Sequence, residues 1–408
     1  MQNIRIVKKN EEIENKEKID IKTIKINLIL PVVFCLSIVC ISFINISNYH
    51  TSYKSSIKEN EGNLQAGLAS IEKKYATNFI GKKNYVTLNG AVARLMGERE
   101  LNGVLKLDNG HLTKAEKNKD LAGYVDTTRE LNEYLKTKET PFLYVQAPHK
   151  IIDDNDENLP AGHQTYVNRN ADVLLDGFEK NDIQTLDLRD EIKKDNLNQY
   201  DMFYKTDHHW NVEGAFWAAE KVVSQIDELL GTETQIIGKD QYESRTEKID
   251  FLGSNGERVG KLYGGSDNVE AYYPTFETDF TMYIDEFDAT RKGSFEEVIV
   301  YDHLSNYGKF LSGRYKFLEI TNNLVNNDKE IMLIADSFSQ ALVPYLTPYY
   351  EKIHIVSTDK VEPIDMIKKI DEVDPDIVIG LYYGSNFSAH MPLVDEAARG
   401  YIWSKKNN

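Results

Sequence analysis

Two short polar segments carry the residue types that nucleophilic catalysis requires. Residues 206–211 read TDHHWN, so Asp207 precedes His209 by two positions. An aspartate at this spacing can orient an imidazole if the intervening backbone is extended or turned, which leaves the other ring nitrogen free as a base. Residues 335–337 read ADS, and Ser337 offers a hydroxyl nucleophile. Together the two segments predict a catalytic triad of Ser337, His209 and Asp207.

Each segment also has a purely structural interpretation. Asp and Ser are favoured at helix N-termini, so Ser337 taken alone would be interpreted as a helix cap. Side chains alternate in extended backbone, so only one of the two histidines can share the side of Asp207. Alternation selects His209 and leaves His208 at the rim or in a structural role. His208 and Trp210 remain candidates for contact with a substrate.

The surrounding sequence predicts a sheet that could position these segments. Short apolar runs alternate with helical patterns, which is typical of an α/β fold with a parallel sheet. The predicted strands cover residues 141–147, 183–188, 330–335, 352–356 and 376–383, and the predicted helices cover residues 170–180, 212–230, 338–346 and 362–372. Ligands of open α/β sheets bind beyond the carboxyl ends of the strands, where polar residues are functional candidates.

The residues after the last predicted strand could complete the site. Residues 380–386 read GLYYGSN. Asn386 or the hydroxyl of Tyr382 or Tyr383 could donate a hydrogen bond to an oxyanion or an acyl oxygen. At least one of the two tyrosines is expected to pack in the core, as strand aromatics usually do. Residues 231–328 contain several glycines and alternating aromatic and aliphatic residues, which predicts a partly β insertion that could shape a substrate groove.

Composition limits the possible partners. The chain has 48 basic and 65 acidic residues and a formal net charge of −17, which argues against a nucleic-acid partner because phosphate binding needs a basic surface. Only two cysteines occur, Cys35 and Cys40, so the rest of the chain has neither disulfides nor a cysteine-based zinc site. No cofactor and no metal is predicted.

The N-terminus predicts a membrane anchor. Residues 26–46 carry no charged side chain and, as a helix, would span about 30 Å, close to the hydrocarbon core of a bilayer. The basic residues that precede this segment place its N-terminal side in the cytoplasm. A cleaved signal peptide is the alternative, but no small-residue cleavage site follows. The predicted organisation is a cytoplasmic tail (1–25), a transmembrane signal anchor (26–46), a juxtamembrane stalk (47–75) and an extracytoplasmic domain (76–408).

Residues 204–210 (YKTDHHW) resemble the signature of the bacterial DHHW proteins, which are similar to the alginate O-acetyltransferase branch of the SGNH hydrolase superfamily. In that branch an Asp-x-His motif lies far upstream of a serine in a Gly/Ala-Asp-Ser turn, which is the order found here. Ala335 stands where the superfamily usually has glycine. The resemblance covers about residues 76–408, including the family landmarks NG at 89–90, NGV at 102–104 and APHK at 147–150. It implies an SGNH-like three-layer α/β/α fold with a mainly parallel sheet.

The resemblance also implies an activity. It suggests a membrane-anchored, extracytoplasmic acyltransferase that O-acetylates a cell-surface or secreted polysaccharide through an acetyl-Ser337 intermediate. A membrane-bound O-acyltransferase is the implied acetyl donor. Resolution of the intermediate by water would instead make the chain a carbohydrate O-acetylesterase. In both cases the base is neutral His209, so activity is expected to fall on acidification through about 6.5, its unperturbed pKa.

Two further functions are compatible with the sequence. Asp-His-His also resembles the DHH phosphoesterases, which bind catalytic manganese and would need more aspartates. The available ones are Asp187, Asp190, Asp374 and Asp376. A non-catalytic polysaccharide-binding or assembly protein would instead stack sugars on aromatic residues, and Ser337 would be dispensable. The aromatic candidates for that role are Tyr263, Tyr272, Tyr273 and Trp403.

Overall fold

A computed structural model of the chain describes residues 32–33, 35–46, 49–51, 53–58, 64–300, 306–384 and 393–406. The chain divides into two compact units, residues 1–85 and 86–408, and the predicted sheet lies in the second. The predicted tail and the first part of the predicted anchor lie outside the described residues. Within the described part of the chain, no helix has both the length and the apolar character that a membrane span requires.

A mixed sheet of eight strands organises the second unit. The strands of the described residues are β1 (Glu100–Leu101), β2 (Val104–Lys106), β3 (Leu112–Thr113), β4 (Phe142–Ala147), β5 (Gln184–Asp187), β6 (Tyr242–Phe251), β7 (Asp267–Pro274), β8 (Phe280–Ile284), β9 (Ala289–Gly293), β10 (Phe317–Asn322), β11 (Glu330–Ala335), β12 (Lys352–Ser357) and β13 (Ile377–Tyr383). The main sheet has the order β5-β4-β13-β11-β12-β10-β8-β9, whereas β1–β3 and the pair β6-β7 form two smaller sheets.

The sheet is parallel in one half and antiparallel in the other. Strands β5, β4, β13, β11 and β12 are parallel neighbours. Strands β10, β8 and β9 continue the sheet in antiparallel pairings. The sequence predicted a mainly parallel sheet, and this must be corrected to a mixed one. The antiparallel strands come from the predicted insertion, so the insertion extends the main sheet. Its alternating residues bury one face of β8 and of β10.

Helices pack on both faces of the sheet. From residue 64 onwards, the helices of the described residues are α1 (Leu64–Thr77), α2 (Lys82–Leu95), α3 (Ala122–Lys136), α4 (Val167–Glu179), α5 (Leu188–Lys194), α6 (Val212–Leu230), α7 (Ser254–Val259), α8 (Lys261–Gly264), α9 (Phe295–Val298), α10 (Ser339–Leu342), α11 (Pro363–Val373) and α12 (Glu396–Lys406). Helix α6 packs on one face of the sheet. Helices α3, α4, α11 and α12 pack on the other.

The ends of α6 and α10 follow from local sequence. The Asn211 side chain caps α6 by accepting a hydrogen bond from the Gly214 amide at 3.1 Å, and Gly231 ends the helix in the left-handed region at φ 65°. Residues 338–346 were predicted to form one helix. Instead α10 ends at Leu342 and a 3₁₀ turn follows, since Pro344 has no backbone N–H to continue an α-helix.

The register brings three strand ends to the same edge. Ala335 at the end of β11 lies opposite Leu381 of β13 on one side and Ser357 of β12 on the other. Ser337, two residues after Ala335, therefore stands at the carboxyl edge of the parallel half of the sheet, where ligands of open α/β sheets bind.

Candidate active site

A buried aspartate fixes the turn that carries Ser337. Asp336 is fully buried, and its carboxylate accepts hydrogen bonds from the Phe338 amide at 2.9 Å and the Tyr383 amide at 2.8 Å. The Ser339 hydroxyl donates to the Asp336 carbonyl at 2.7 Å. These bonds tie the turn to the end of β13 and leave Ser337 half-buried, within reach of a ligand.

A second set of bonds holds the segment before His209. The Asp267 carboxylate accepts from the amides of Lys205 and Thr206 at 2.7 and 2.8 Å, and from the Thr206 hydroxyl. The fully buried Lys150 ammonium donates to the Lys205 carbonyl at 3.0 Å and to the Leu112 carbonyl at 2.8 Å. Burial lowers the pKa of Lys150 to about 7. The segment is therefore anchored by two polar side chains from distant parts of the sequence.

The structure brings Ser337, His209 and Asp207 together. His209 Nε2 lies 2.7 Å from Ser337 Oγ, across 128 residues of sequence. His209 Nδ1 lies 2.6 Å from Asp207 Oδ1, which also accepts from the His209 amide at 3.0 Å. The other oxygen of Asp207 accepts from the Ser254 amide at 2.7 Å. Because an ionised carboxylate only accepts hydrogen bonds, Nδ1 carries the imidazole proton and Nε2 is free to accept the proton of Ser337.

The charge states suit a base at neutral pH. Burial would raise the pKa of Asp207, but the His209 imidazole and the hydrogen bonds from His208 and His209 outweigh it and hold that pKa well below its usual value. Burial, followed by the charge of His208, lowers the pKa of His209 to about 4 against the opposing effect of Asp207. At pH 7 Asp207 is ionised and His209 is neutral.

His208 lies at the rim of the site. Its side chain is 29% exposed and its Nδ1 lies 2.7 Å from the Ser254 hydroxyl. Its ring lies 3.8 Å from the ring of His209, centroid to centroid. His208 is therefore placed where a ligand of Ser337 could contact it.

The other sequence candidates lie in different places. Trp210 is buried, with its ring edge-on to Phe338 at 4.9 Å, so it packs behind the site instead of contacting a substrate. Tyr382 and Tyr383 alternate across the sheet. Tyr383 stacks on Phe338 on the side of the triad, whereas Tyr382 is buried beside Tyr144 in the core on the opposite face. Asn386 lies outside the described residues.

The backbone at Ser337 offers one oxyanion donor. Within the described part of the chain, the amide of Ser337 has no hydrogen-bond acceptor. It belongs to the residue that would be acylated, so it would lie beside an oxyanion formed there.

The four aspartates proposed as additional ligands of a phosphoesterase metal centre are each paired with another group. One potential ligand atom each from Asp207, His208 and His209 lies within 4.8 Å of the others. However, both Asp207 oxygens already accept hydrogen bonds. The additional aspartates are elsewhere: Asp187 pairs with Arg189, Asp190 with Lys193, Asp374 with Lys138, and Asp376 accepts from the Glu330 amide where β11 begins. Asp376 therefore lies at the edge of the sheet where β11 begins, whereas Ser337 lies at the edge where β11 ends.

The aromatic residues proposed for sugar stacking are mostly in the core. Tyr263, Tyr272 and Tyr273 are all at most 5% exposed, and only Trp403 of the four is exposed. The prediction that these four residues stack sugars at the surface is therefore wrong for the three buried tyrosines.

Sequence motifs missed several residues that shape the site. Ser254 and Asp267 lie in the predicted insertion, and the only signal for them was its glycine content. Gly253 packs its backbone against Asp207: a Cβ built there would lie 2.4 Å from the Asp207 Cβ. Tyr307 stacks on His209, and no sequence pattern marked it.

Comparisons with known proteins agree with this fold. Residues 105–260 match the family model of the SGNH hydrolase-like domain of the acetyltransferase AlgX. A structure of Bacillus cereus PatB1 is 22% identical with a TM-score of 0.57, over 70% of this chain and 97% of PatB1. A DHHW family protein from Eubacterium siraeum is 19% identical with a TM-score of 0.55, over 76% of this chain and 96% of that one. No curated protein sequence matches the chain.

At these identities the two structures show a shared fold. The family model shows in addition that residues 105–260 are similar to an SGNH hydrolase-like domain of an acetyltransferase. The resemblance to the DHHW proteins and to the alginate O-acetyltransferase branch of the SGNH hydrolase superfamily is therefore confirmed, and the fold is an SGNH-like α/β fold.

Proposed function

We propose that this chain is an O-acetyltransferase in which Ser337 carries the acetyl group, His209 is the base and Asp207 orients it. The observation that carries the proposal is the pair of contacts made by one imidazole: Nε2 lies 2.7 Å from Ser337 Oγ, and Nδ1 lies 2.6 Å from Asp207. The match to an acetyltransferase family supports acyl transfer as the reaction class.

The proposed reaction has two halves, and His209 moves the proton in each. His209 Nε2 takes the Ser337 proton as Oγ attacks the carbonyl carbon of an acetyl ester, and the resulting oxyanion lies beside the Ser337 amide. When the intermediate collapses, the imidazolium protonates the leaving alcohol and Ser337 keeps the acetyl group. An acceptor hydroxyl then gives its proton to His209 and attacks the acetyl carbon, and as the bond to Ser337 Oγ breaks, the imidazolium returns a proton to that oxygen, which restores Ser337 and neutral His209. Asp207 stabilises the imidazolium in both steps.

The acceptor and the cellular setting extend the proposal. We infer a sugar hydroxyl of a cell-surface or secreted polysaccharide as acceptor and a membrane-bound O-acyltransferase as acetyl donor. Residues 26–46 would anchor the chain, residues 47–75 would form the stalk and residues 76–408 would work outside the cytoplasm. The uncharged segment and the basic residues before it support this arrangement. Deleting residues 1–46 should move the chain from the membrane fraction to the soluble fraction of the cytoplasm, because the deletion removes both the anchor and the export signal, whereas unchanged fractionation would contradict the arrangement.

The first experiment asks whether Ser337 becomes acetylated. The full chain is mixed with 4-nitrophenyl acetate, nitrophenolate release is followed and acetylated peptides are located by mass spectrometry. We expect a burst of nitrophenolate and one acetyl group on Ser337. Ser337→Ala should remove both, and Asp207→Asn or His209→Gln should slow the burst by at least about 10³-fold. His163→Gln, a histidine paired with Glu100 outside the site, is the matched control and should react like the wild type.

The second experiment separates transfer from hydrolysis. Candidate oligosaccharides are added to the acetylated enzyme, and acetyl-sugar and free acetate are measured. Acetyl-sugar formation supports the transferase, whereas acetate as the sole product assigns the esterase activity. If the polysaccharide binds Ser337→Ala as well as wild type and no acetyl-enzyme ever forms, the chain is a binding protein and the catalytic proposal is wrong.

A further inference from the structure

Tyr307 contacts both the base and the backbone of the nucleophile. Its ring lies flat against the His209 imidazole, with centroids 3.7 Å apart and planes 14° apart. Its one hydroxyl proton is shared between the carbonyl oxygens of Ser337, at 3.1 Å, and Phe338, at 3.3 Å. The residue itself is almost completely buried.

We propose that Tyr307 is a positioning residue that acts through His209, holding the imidazole in line with Ser337 and keeping water from its face. The inference rests on the proposed function for its role in acyl transfer, but its effect on His209 can be measured independently of any reaction. Tyr307 is supplied by the predicted insertion, so that segment contributes to the site as well as to the sheet.

The need for such a residue follows from the geometry of the imidazole. The hydrogen bond to Asp207 fixes Nδ1 but still allows the ring to tilt about that contact. A tilt would carry Nε2 away from Ser337 Oγ, and misplacement by about 1 Å can cost about 10²-fold in rate. The rings of Tyr307 and His208, with centroids 3.7 and 3.8 Å from that of His209, restrict the tilt.

Tyr307 acts on the charge of His209 in two opposing ways. Its bulk contributes to the burial that lowers the pKa of His209 to about 4, whereas the face of its ring attracts a cation and favours the imidazolium. The other charged groups that act on His209 are Asp207 and His208 from its own segment and Arg314 from the segment before β10. Burial is the largest effect, so removal of the Tyr307 ring should raise the pKa of His209 towards its ordinary value.

The hydroxyl of Tyr307 has a separate role. Its bonds to two consecutive carbonyls fix the backbone of the turn, so they place Ser337 relative to the imidazole that the ring supports. Tyr307→Phe removes these bonds and keeps the stacking, whereas Tyr307→Ala removes both.

The test measures the pKa of His209 directly. Full-length protein labelled with ¹³C at histidine Cε1 is titrated by NMR, and the His209 signal is assigned by its loss in His209→Gln. We expect the pKa of His209 to change by less than about half a unit in Tyr307→Phe and to rise by at least about one unit in Tyr307→Ala. Tyr204→Phe is the matched control, because Tyr204 lies edge-on to Tyr307 at 6.3 Å and its buried hydroxyl has no hydrogen-bond partner among the described residues.

The same variants are assayed for acetylation of Ser337. Tyr307→Phe should slow it by about 3- to 10-fold and Tyr307→Ala by about 10²-fold, with Tyr204→Phe unchanged. If Tyr307→Ala does not fold, Tyr307→Val, which keeps more buried volume, takes its place in both measurements. A pKa and a rate in the alanine or valine variant equal to those of Tyr204→Phe would overturn the proposal. If wild-type Ser337 is never acetylated, the proposed function fails while the titration still decides the role of Tyr307.

Discussion

At the scale of single residues, the three polar groups with recognisable spacing were predictable and their supports were not. Asp207 and His209 are two positions apart, and Ser337 follows an apolar strand, so local sequence contains the signal. Tyr307 acts through the flat contact of its ring with His209, and nothing in neighbouring sequence encodes a contact made across the fold. Asn386 was a reasonable candidate from its place after β13, and its role stays a prediction.

The pH dependence of acetylation follows from the burial of His209. The reaction needs the neutral imidazole, and burial lowers its pKa to about 4, so the rate should stay near its maximum at pH 6 and fall as the pH drops through about 4. The sequence alone predicted loss near 6.5, the value of an exposed histidine. The pH dependence is measured as the rate of the nitrophenolate burst between pH 3.5 and 8, in steps of about 0.5 unit. Circular dichroism at each pH is the control for unfolding. Half-maximal activity near pH 6.5 would show that solvent reaches the imidazole.

At the scale of secondary structure elements, sequence periodicity predicted β11 and α6 with their observed bounds. Both have strong signals, an apolar run before a polar turn in β11 and an asparagine cap with a closing glycine in α6. The partners of β8 and β10 were not predictable, because alternation shows that one face of a strand is buried but not which strand lies beside it.

The close packing of Gly253 against Asp207 can be tested by adding a methyl group at position 253. A Cβ on Gly253 would lie 2.6 Å from the Asp207 amide nitrogen, so Gly253→Ala must displace Asp207. The residue has φ −71°, which alanine adopts without strain, so the effect is steric. Acetylation of Ser337 should fall by about 10²-fold because the imidazole loses its alignment.

The matched control for this substitution is Gly123→Ala in α3, where nothing lies within 4 Å of the added methyl group. It should leave acetylation unchanged and stabilise the fold by about 0.4–1 kcal/mol. Equal rates in the two variants, measured with 4-nitrophenyl acetate, would mean that the segment carrying Asp207 adjusts to the methyl group and that the close packing is not required.

At the scale of the whole molecule, several histidines are buried in the neutral form. Burial lowers the pKa of His111 and of His149 to about 3 and that of His209 to about 4. Each is protonated in the unfolded chain below about 6.5, so the unfolded state binds more protons as the pH falls from there towards 4. The contribution of these histidines to the free energy of unfolding is therefore greatest above pH 6.5. It declines on acidification by up to about 1.4 kcal/mol per pH unit for each histidine.

Thermal unfolding measures this decline. The melting temperature should fall steadily from pH 7 to pH 5, and His111→Phe, which removes one of the three groups, should make the slope shallower. His111 is suited to this change because it makes a ring contact with Tyr200, which phenylalanine can keep. A melting temperature that does not vary over this range would show that water reaches these imidazoles in the folded protein.

The strand order determines when the main sheet can close during synthesis of the chain. Strand β4 pairs with β5 and with β13, and β11 pairs with β12 and with β13. Among the strands of the described residues, β13 alone joins β4 and β5 to the part of the sheet that carries Ser337, and it is the last of these strands to be synthesised. A nascent chain emerging amino end first already contains its base and the carboxylate beside it, but it cannot close the sheet around them. The proposed acetyl-enzyme would therefore form only after β13 has been synthesised.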